Sequence, residues 1–287
     1  MPRRAVTHKR GIEPLRQRKF ILSVAGNMKV LITFALEGEF APWRAIREFR
    51  SESRGGARVY VCTIDGAEIG VAVTGVGPKQ AALEASRAIR NECDSLSFCI
   101  SSGLAGALRP EYRIAQVLAA RRVFSEFPHP DLTSQLLPSS QPLVSFAAEC
   151  GATVVERFHT AERAVARVEE KHHLGRTSDA VEMESFEIFR EAAACGIPAV
   201  AIRAVSDGLD EDLPLDMNQL FTDEGQVSIP RVMGQVALHP QAIPGLVKLR
   251  QNSKQAAESL AQFLDRYVAT VISRPRSESS SGSTAWT

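Results

Sequence analysis

Apolar runs of strand length alternate with amphipathic stretches of helical period along most of this chain. Lys29 to Leu36 is a continuous apolar run. Val59 to Ile64 and Glu68 to Val73 are β-rich runs separated by Asp65-Gly66-Ala67, a pattern that predicts a hairpin. Pro78 to Arg90 carries apolar residues at helical spacing, with proline suited to the first turn. Leu96 to Ser101, Ile114 to Val123 and Thr153 to Phe158 are further strand-like runs, and Glu162 to His173 predicts a charged, exposed helix. A helix over Ser185 to Cys195 precedes a strand over Ile197 to Val205, and a long helix covers Pro244 to Ile272. Strands that alternate with helices predict an α/β sheet with helices on its faces. Phe124 to Pro142 and Gly208 to Pro230 show no period, and loops of that length in a compact domain are often lids or binding elements.

Composition changes this picture little. The chain has 287 residues, enough for one domain with a full core, and a formal net charge of +1, so neither nucleic acid nor an acidic membrane is expected as a partner. No run reaches the ~18 apolar residues that predict a transmembrane helix. Residues 1–27 are basic and then briefly apolar, and are expected to be a disordered extension. Residues 28–272 form the expected domain, and the Ser-rich tail 273–287 is expected to be disordered. The five cysteines (62, 93, 99, 150, 195) are scattered without a CxxC pair, which predicts reduced, buried thiols in a cytoplasmic protein. His159, His172 and His173 lack metal-ligand spacing and are expected on the surface or in loops; no metal is expected.

The chemistry concentrates in two groups. Glu182, Met183 and Glu184 close one apolar strand and open a helix; Arg203, Ser206 and Asp207 end the next strand. Strand ends of an open α/β sheet are where ligands are handled, and carboxylates gathered there can hold hydroxyls and move protons. Two glycine turns, Gly75-Val76-Gly77 and Gly103-Leu104-Ala105-Gly106, follow apolar strands and allow close approach of backbone to a ligand.

Four segments in register carry a family resemblance: Met28–Ile32 through Glu37-Gly38-Glu39, Val73–Gly77, Ser102–Leu108, and "VEMES" followed by "IPAVAIRAVSD". Together they resemble the purine nucleoside and uridine phosphorylase superfamily, in particular its methylthioadenosine/S-adenosylhomocysteine nucleosidases. The resemblance implies a single domain with a central mixed twisted sheet flanked by helices. It implies cleavage of the N-glycosidic bond of a purine nucleoside, adenine preferred, in nucleoside catabolism such as methionine salvage. It implies no metal or organic cofactor, a small-molecule nucleoside as partner, and a homodimer. Asp207 is then the acid that protonates purine N7 in low-dielectric surroundings, Glu184 the clamp on the ribose diol with Met183 against the sugar, and Glu39 the base that activates water. Glu37 competes with Glu39 for that role. Arg203 is expected to orient the carboxylates, Glu182 to order water or a neighbour, and Gly75, Leu104, Ala105, Gly106 and Ser206 to contact substrate.

The pattern also departs from its relatives. Phosphorolytic members carry an arginine before the small-residue loop and a serine within it, where this chain has Ser101 and Leu104. Ala115-Gln116 stands where hydrolytic members often have Gly-Asp. Phe158 to Val165 and the C-terminal segment from His239 are similar to hopanoid-biosynthesis-associated nucleoside phosphorylases. Hydrolysis is therefore the leading expectation. Phosphorolysis, with phosphate as co-substrate completed by Arg121-Arg122 or the 124–142 segment, is the alternative. A non-catalytic nucleoside-binding module is the rival from another class.

Overall fold

The computed structural model describes residues 28–127 and 135–274. The expected N-terminal extension, and all but the first two residues of the expected tail, lie outside the described residues.

Four strands form the parallel centre of a mixed sheet: β1 (Lys29–Phe34), β4 (Ala67–Val73), β5 (Phe98–Ala107) and β10 (Ala199–Asp207), in the order β4-β1-β5-β10. They are nearly continuous apolar runs, as strands covered on both faces must be. The expected hairpin is present: β3 (Ala57–Ile64) pairs antiparallel with β4, and β2 (Arg50–Arg54) adds a charged outer strand. On the other side β6 (Val117–Ser125) pairs with β10, then with β8 (Thr153–Thr160); β9 (Ala180–Glu182) pairs with β8 and returns to β5. The pairings β5-β10-β6-β8-β9-β5 therefore close on themselves. A short strand β7 (Leu136–Pro138) flanks β6.

Helices cover both faces. α1 (Glu37–Ile46), α3 (Gln141–Glu149) and α7 (Ile243–Ser273) enclose one apolar core with Phe40, Trp43, Leu143, Leu264 and Tyr267. α2 (Pro78–Arg90) and α5 (Ser185–Ala194) enclose the other with Ala81, Ala85, Ile89, Phe186 and Phe189. Trp43 Nε1 and Arg47 both donate to Asp265, which ties α1 to α7. This is the expected single-domain α/β architecture. Among the described residues no helix is long and apolar enough to cross a membrane.

Several local expectations need correction. The acidic segment after β1, to which the pattern assigns no element, is the first turn of α1. The helix expected over 162–173 is only α4 (Val168–Leu174); Arg163, Ala164 and Val165 run outside it as a pocket wall. His159 is buried on β8, while His172 and His173 are exposed. The 208–230 segment contains a 3-10 turn (Met217–Gln219) and leads into α6 (Ile229–Leu238), a helix with no buried residue.

The cysteine reading is also corrected. Cys93 and Cys195 form a disulfide with Cα atoms 5.4 Å apart, and Cys62, Cys99 and Cys150 are free. The packing of α2 against α5 brings together their C-terminal ends, 102 residues apart in sequence. Alkylation of the denatured, unreduced protein is expected to label three thiols rather than five, as read by mass spectrometry. Reduction should lower stability by about 2–4 kcal/mol, the usual effect of opening a long covalent loop.

Candidate active site

The C-terminal ends of the parallel strands β1, β5 and β10 lie side by side, and β9 brings Val181 and Glu182 against Gly106. A cavity of about 210 Å³ opens there. Its lining includes nine residues expected from the sequence: Glu39, Leu104, Ala105, Gly106, Glu182, Met183, Glu184, Ser206 and Asp207. Two others stand behind the wall rather than on it. Gly75 lies under the 221–227 loop, where a Cβ would stand 2.6 Å from the Glu224 carbonyl oxygen. Arg203 is fully enclosed at 1% exposure. Glu37 faces elsewhere, accepting from Tyr60 and pairing with Arg44.

Glu39 is held by the start of α1. Its Oε2 accepts from the backbone N–H groups of Ala35 (2.9 Å) and Leu36 (3.2 Å), and its Oε1 from Leu104 (3.3 Å). Burial pushes its carboxyl above the usual range, against the opposing charge of Arg203 and those three N–H donors. A base of this kind is held in one place and has reason to take a proton.

Glu182 is a structural anchor. Its Oε2 accepts from Arg203 Nη2 (2.6 Å) and from the backbone N–H groups of Ser185 (2.7 Å) and Glu184 (3.0 Å), and Thr160 donates to its Oε1. Burial alone would raise this carboxyl, but Arg203, Thr160 and the backbone donors outweigh it and hold it below the usual range. Arg203 Nη2 also reaches Ser185 Oγ (3.0 Å) and Ser101 Oγ (3.2 Å). These contacts fix the start of α5 and hence the direction of Glu184.

Glu184 Oε1 accepts from the backbone N–H of Gly77 (2.9 Å), at the head of α2, while its Oε2 stands 3.7 Å from Arg203. Burial, and then the charge on Glu182, push its carboxyl up to about 8. Its native value thus exceeds the 4.5 of an ordinary glutamate, so the folded protein retains a proton that the unfolded chain releases. That contribution to stability is full below about pH 4.5 and is lost as pH rises toward about 8. Glu184→Gln, which keeps an acceptor for Gly77, is expected to gain thermal stability on the wild type between about pH 5 and pH 9, by about 2–4 °C for each kcal/mol relieved. Melting curves at both pH values check this; an unchanged difference would contradict a proton held on Glu184.

Asp207 ends β10. A Cβ at position 106 would lie 2.8 Å from Asp207 Oδ2, so only glycine leaves that carboxylate its place. Ser206 Oγ donates to Asp207 Oδ1 at 2.8 Å. Asp207 is buried, as expected for this acid, and it has a charged neighbour: Lys171 Nζ lies 2.6 Å from Oδ2. Lys171 was concealed in a segment expected to be exposed. Its signal was the stripe Val168, Lys171, Gly175, Ser178, one face of a helix and its exit, of which the last three are buried.

The pocket rim adds Arg163, ion-paired to Glu170, and apolar residues Val76, Met217, Phe221 and Leu249. Arg121 and Arg122 do not line it; both face Glu156. Among the described residues there is no cluster of three or more side chains able to hold a metal ion.

The model of the phosphorylase superfamily matches residues 29–236. A mutant futalosine hydrolase of Helicobacter pylori superposes with a TM-score of 0.66 at 19% identity, over 85% of this chain and 99% of that one. A 5′-methylthioadenosine/S-adenosylhomocysteine nucleosidase from the same organism gives 0.66 at 19%, over 85% and 98%. The corresponding Neisseria meningitidis enzyme, solved with methylthio-immucillin-A, gives 0.65 at 21%, over 84% and 99%. At these identities the likeness is one of fold.

Proposed function

This chain belongs to the phosphorylase superfamily, and from that premise we propose that it cleaves the N-glycosidic bond of an adenine nucleoside, with water as the attacking group. The observation that carries this reading is one cavity lined by Glu39, Glu184 and Asp207 together. Breaking the bond between sugar and base leaves negative charge on the purine and positive charge on the sugar. Asp207 protonates N7 as the base departs. Glu184 hydrogen-bonds the two ribose hydroxyls, and the partial negative charge on its carboxyl oxygens faces the cationic sugar. Met183, in the pocket wall beside it, packs on the sugar face. Glu39 takes a proton from the water that attacks C1′. Glu182 and Arg203 serve by holding Glu184 in place.

The charges in the cavity favour water over phosphate. Among the described residues four carboxyl groups, with Glu182 held ionised and Glu184 held protonated, line it against one cation, Arg163, which is itself paired to Glu170. The nearby cations Arg203 and Lys171 are both engaged, by Glu182 and by Asp207, each at 2.6 Å. A multiply charged anion needs several free donors and would meet repulsion here. Phosphorolysis is the second reading, supported by Arg163 at the rim, a cation able to turn toward an anion.

The apolar residues Val76, Met217, Phe221 and Leu249 suit a substrate with an uncharged, apolar 5′ group, such as methylthioadenosine. While one oxygen of Asp207 carries the proton for N7, the other can accept from a 6-amino group, and a 6-oxo group offers it no donor. The test is a panel of 6-amino and 6-oxo purine nucleosides with and without 5′ thioethers, read as free base by chromatography. Release of adenine from methylthioadenosine with poor release from inosine is the expected result. No base released from any nucleoside, with the substrate still bound, would favour a binding module instead.

A further inference from the structure

Lys171 is the one lysine buried among the described residues, with 0% exposure. Its Nζ spends all three N–H donors inside the protein, on Asp207 Oδ2 (2.6 Å), the Gly208 carbonyl (2.8 Å) and the Glu211 carbonyl (2.8 Å). A buried ammonium is expensive even when fully bonded, and an apolar side chain of similar volume at such a site is often no worse for stability. Packing therefore does not account for a lysine here. Its contact with the carboxyl group assigned to the leaving base does.

We propose that Lys171 is a positioning residue of the reaction, acting through Asp207 to drive proton release toward the departing purine. The inference rests on the glycosidic cleavage proposed above. In that step the C1′–N9 electron pair moves onto the purine, and the Asp207 proton passes to N7. A carboxylate remains, and the proton is later regained from solvent. Lys171 neither gains nor loses a proton. Its positive charge, 2.6 Å from Oδ2, interacts weakly with the neutral acid and strongly with the anion left behind. Ser206 supports the second oxygen from 2.8 Å. By binding the carbonyls of Gly208 and Glu211, the same ammonium also anchors the turn that follows β10, so the carboxyl group keeps its direction as its charge changes.

The test uses Lys171→Met in the full-length chain with two matched pairs of probes. The first pair is methylthioadenosine and 4-nitrophenyl β-D-ribofuranoside, whose leaving group departs without a proton. Turnover of methylthioadenosine is expected to fall at least about tenfold, toward the range a general acid contributes, and the nitrophenyl riboside to change by less than about twofold. The second pair needs no turnover. 9-Deazaadenine carries an N7–H that donates to a carboxylate, and its isomer 7-deazaadenine has carbon there. The wild type should prefer the N7–H isomer in calorimetry, and the variant should lose at least about fivefold of that preference, as expected when a charge-assisted bond weakens. Lys171→Arg should restore part of both effects. If Lys171→Met fails to fold by circular dichroism, Lys171→Gln keeps donors for the carbonyls, removes the charge and should give the same pattern.

Equal losses on both ribosides, or an unchanged preference between the two bases, would overturn the role of Lys171 and leave the cleavage reading standing. A wild type that binds neither base and cleaves neither riboside would overturn the cleavage reading itself.

Discussion

Asp207→Asn is expected to lower base release at least about a hundredfold while the protein stays folded, since a positioned general acid contributes typically ~10²–10⁴-fold. The amide keeps the size of the carboxyl: its oxygen can accept from Lys171, 2.6 Å from Asp207 Oδ2, and its NH2 can donate to Ser206 Oγ, 2.8 Å from Oδ1. What it loses is the transferable proton. Because the amide offers the buried Lys171 ammonium a poorer set of acceptors, some loss of stability is also expected. The two effects separate cleanly: the melting temperature reports the contact with Lys171, and turnover on a nitrophenyl riboside reports everything in the site except protonation of the base. Loss confined to purine substrates identifies the acid. Adenine release near the wild-type rate would remove Asp207 from the mechanism.

Arg203→Met is expected to cost about 3–5 kcal/mol of stability, the usual result of breaking a buried pair from one side. Glu182 would keep Thr160 and two backbone donors but lose the cation 2.6 Å away. In a protein of this size a loss of that order lowers the melting temperature by roughly 10 °C. The pH dependence has a definite sign. Glu182 is held below the 4.5 of an ordinary glutamate, so the pair stabilises the fold above about pH 4.5 and that stability is lost as pH falls through the depressed native value. The gap between wild type and variant should therefore narrow on acidification below about pH 4.5. Glu182→Gln should show less of the same pH dependence, having no carboxylate to titrate, although it leaves Arg203 buried without its closest anion. A constant gap across that range would mean the loss is packing alone.

The parts of this fold that were legible in the sequence are those buried on both sides. β1, β5 and β10 are continuous apolar runs, and the ends of β5 and β10, with the helix after β1, contribute Gly106, Asp207 and Glu39 to a common rim. The residues around Glu184 were legible as chemistry because carboxylates at a strand end have few structural reasons to be there. α1 was hidden by its own composition. Gly38 and Pro42 read as breakers, yet Glu39 bonded to the N–H groups of Ala35 and Leu36 starts the helix, and Phe40 and Trp43 bury its face. β2 reads as a charged loop because all five of its residues are polar; it pairs along β3 and satisfies its charges through Arg54, Glu52 and Glu68. Sequence spacing carries no sign of the Cys93–Cys195 contact, which exists only because two helices pack side by side. Lys171 was missed for a related reason: charge suggests exposure, and only the tertiary fold supplies an aspartate and two carbonyls to receive it.

Most of the chemistry proposed here turns on which group attacks the sugar. The direct measurement is the sugar product formed from methylthioadenosine by the purified chain at saturating phosphate, resolved by ³¹P NMR and chromatography. The account predicts adenine and free methylthioribose, at a rate independent of phosphate. Methylthioribose 1-phosphate as the main product, with a rate that rises with phosphate, would contradict it.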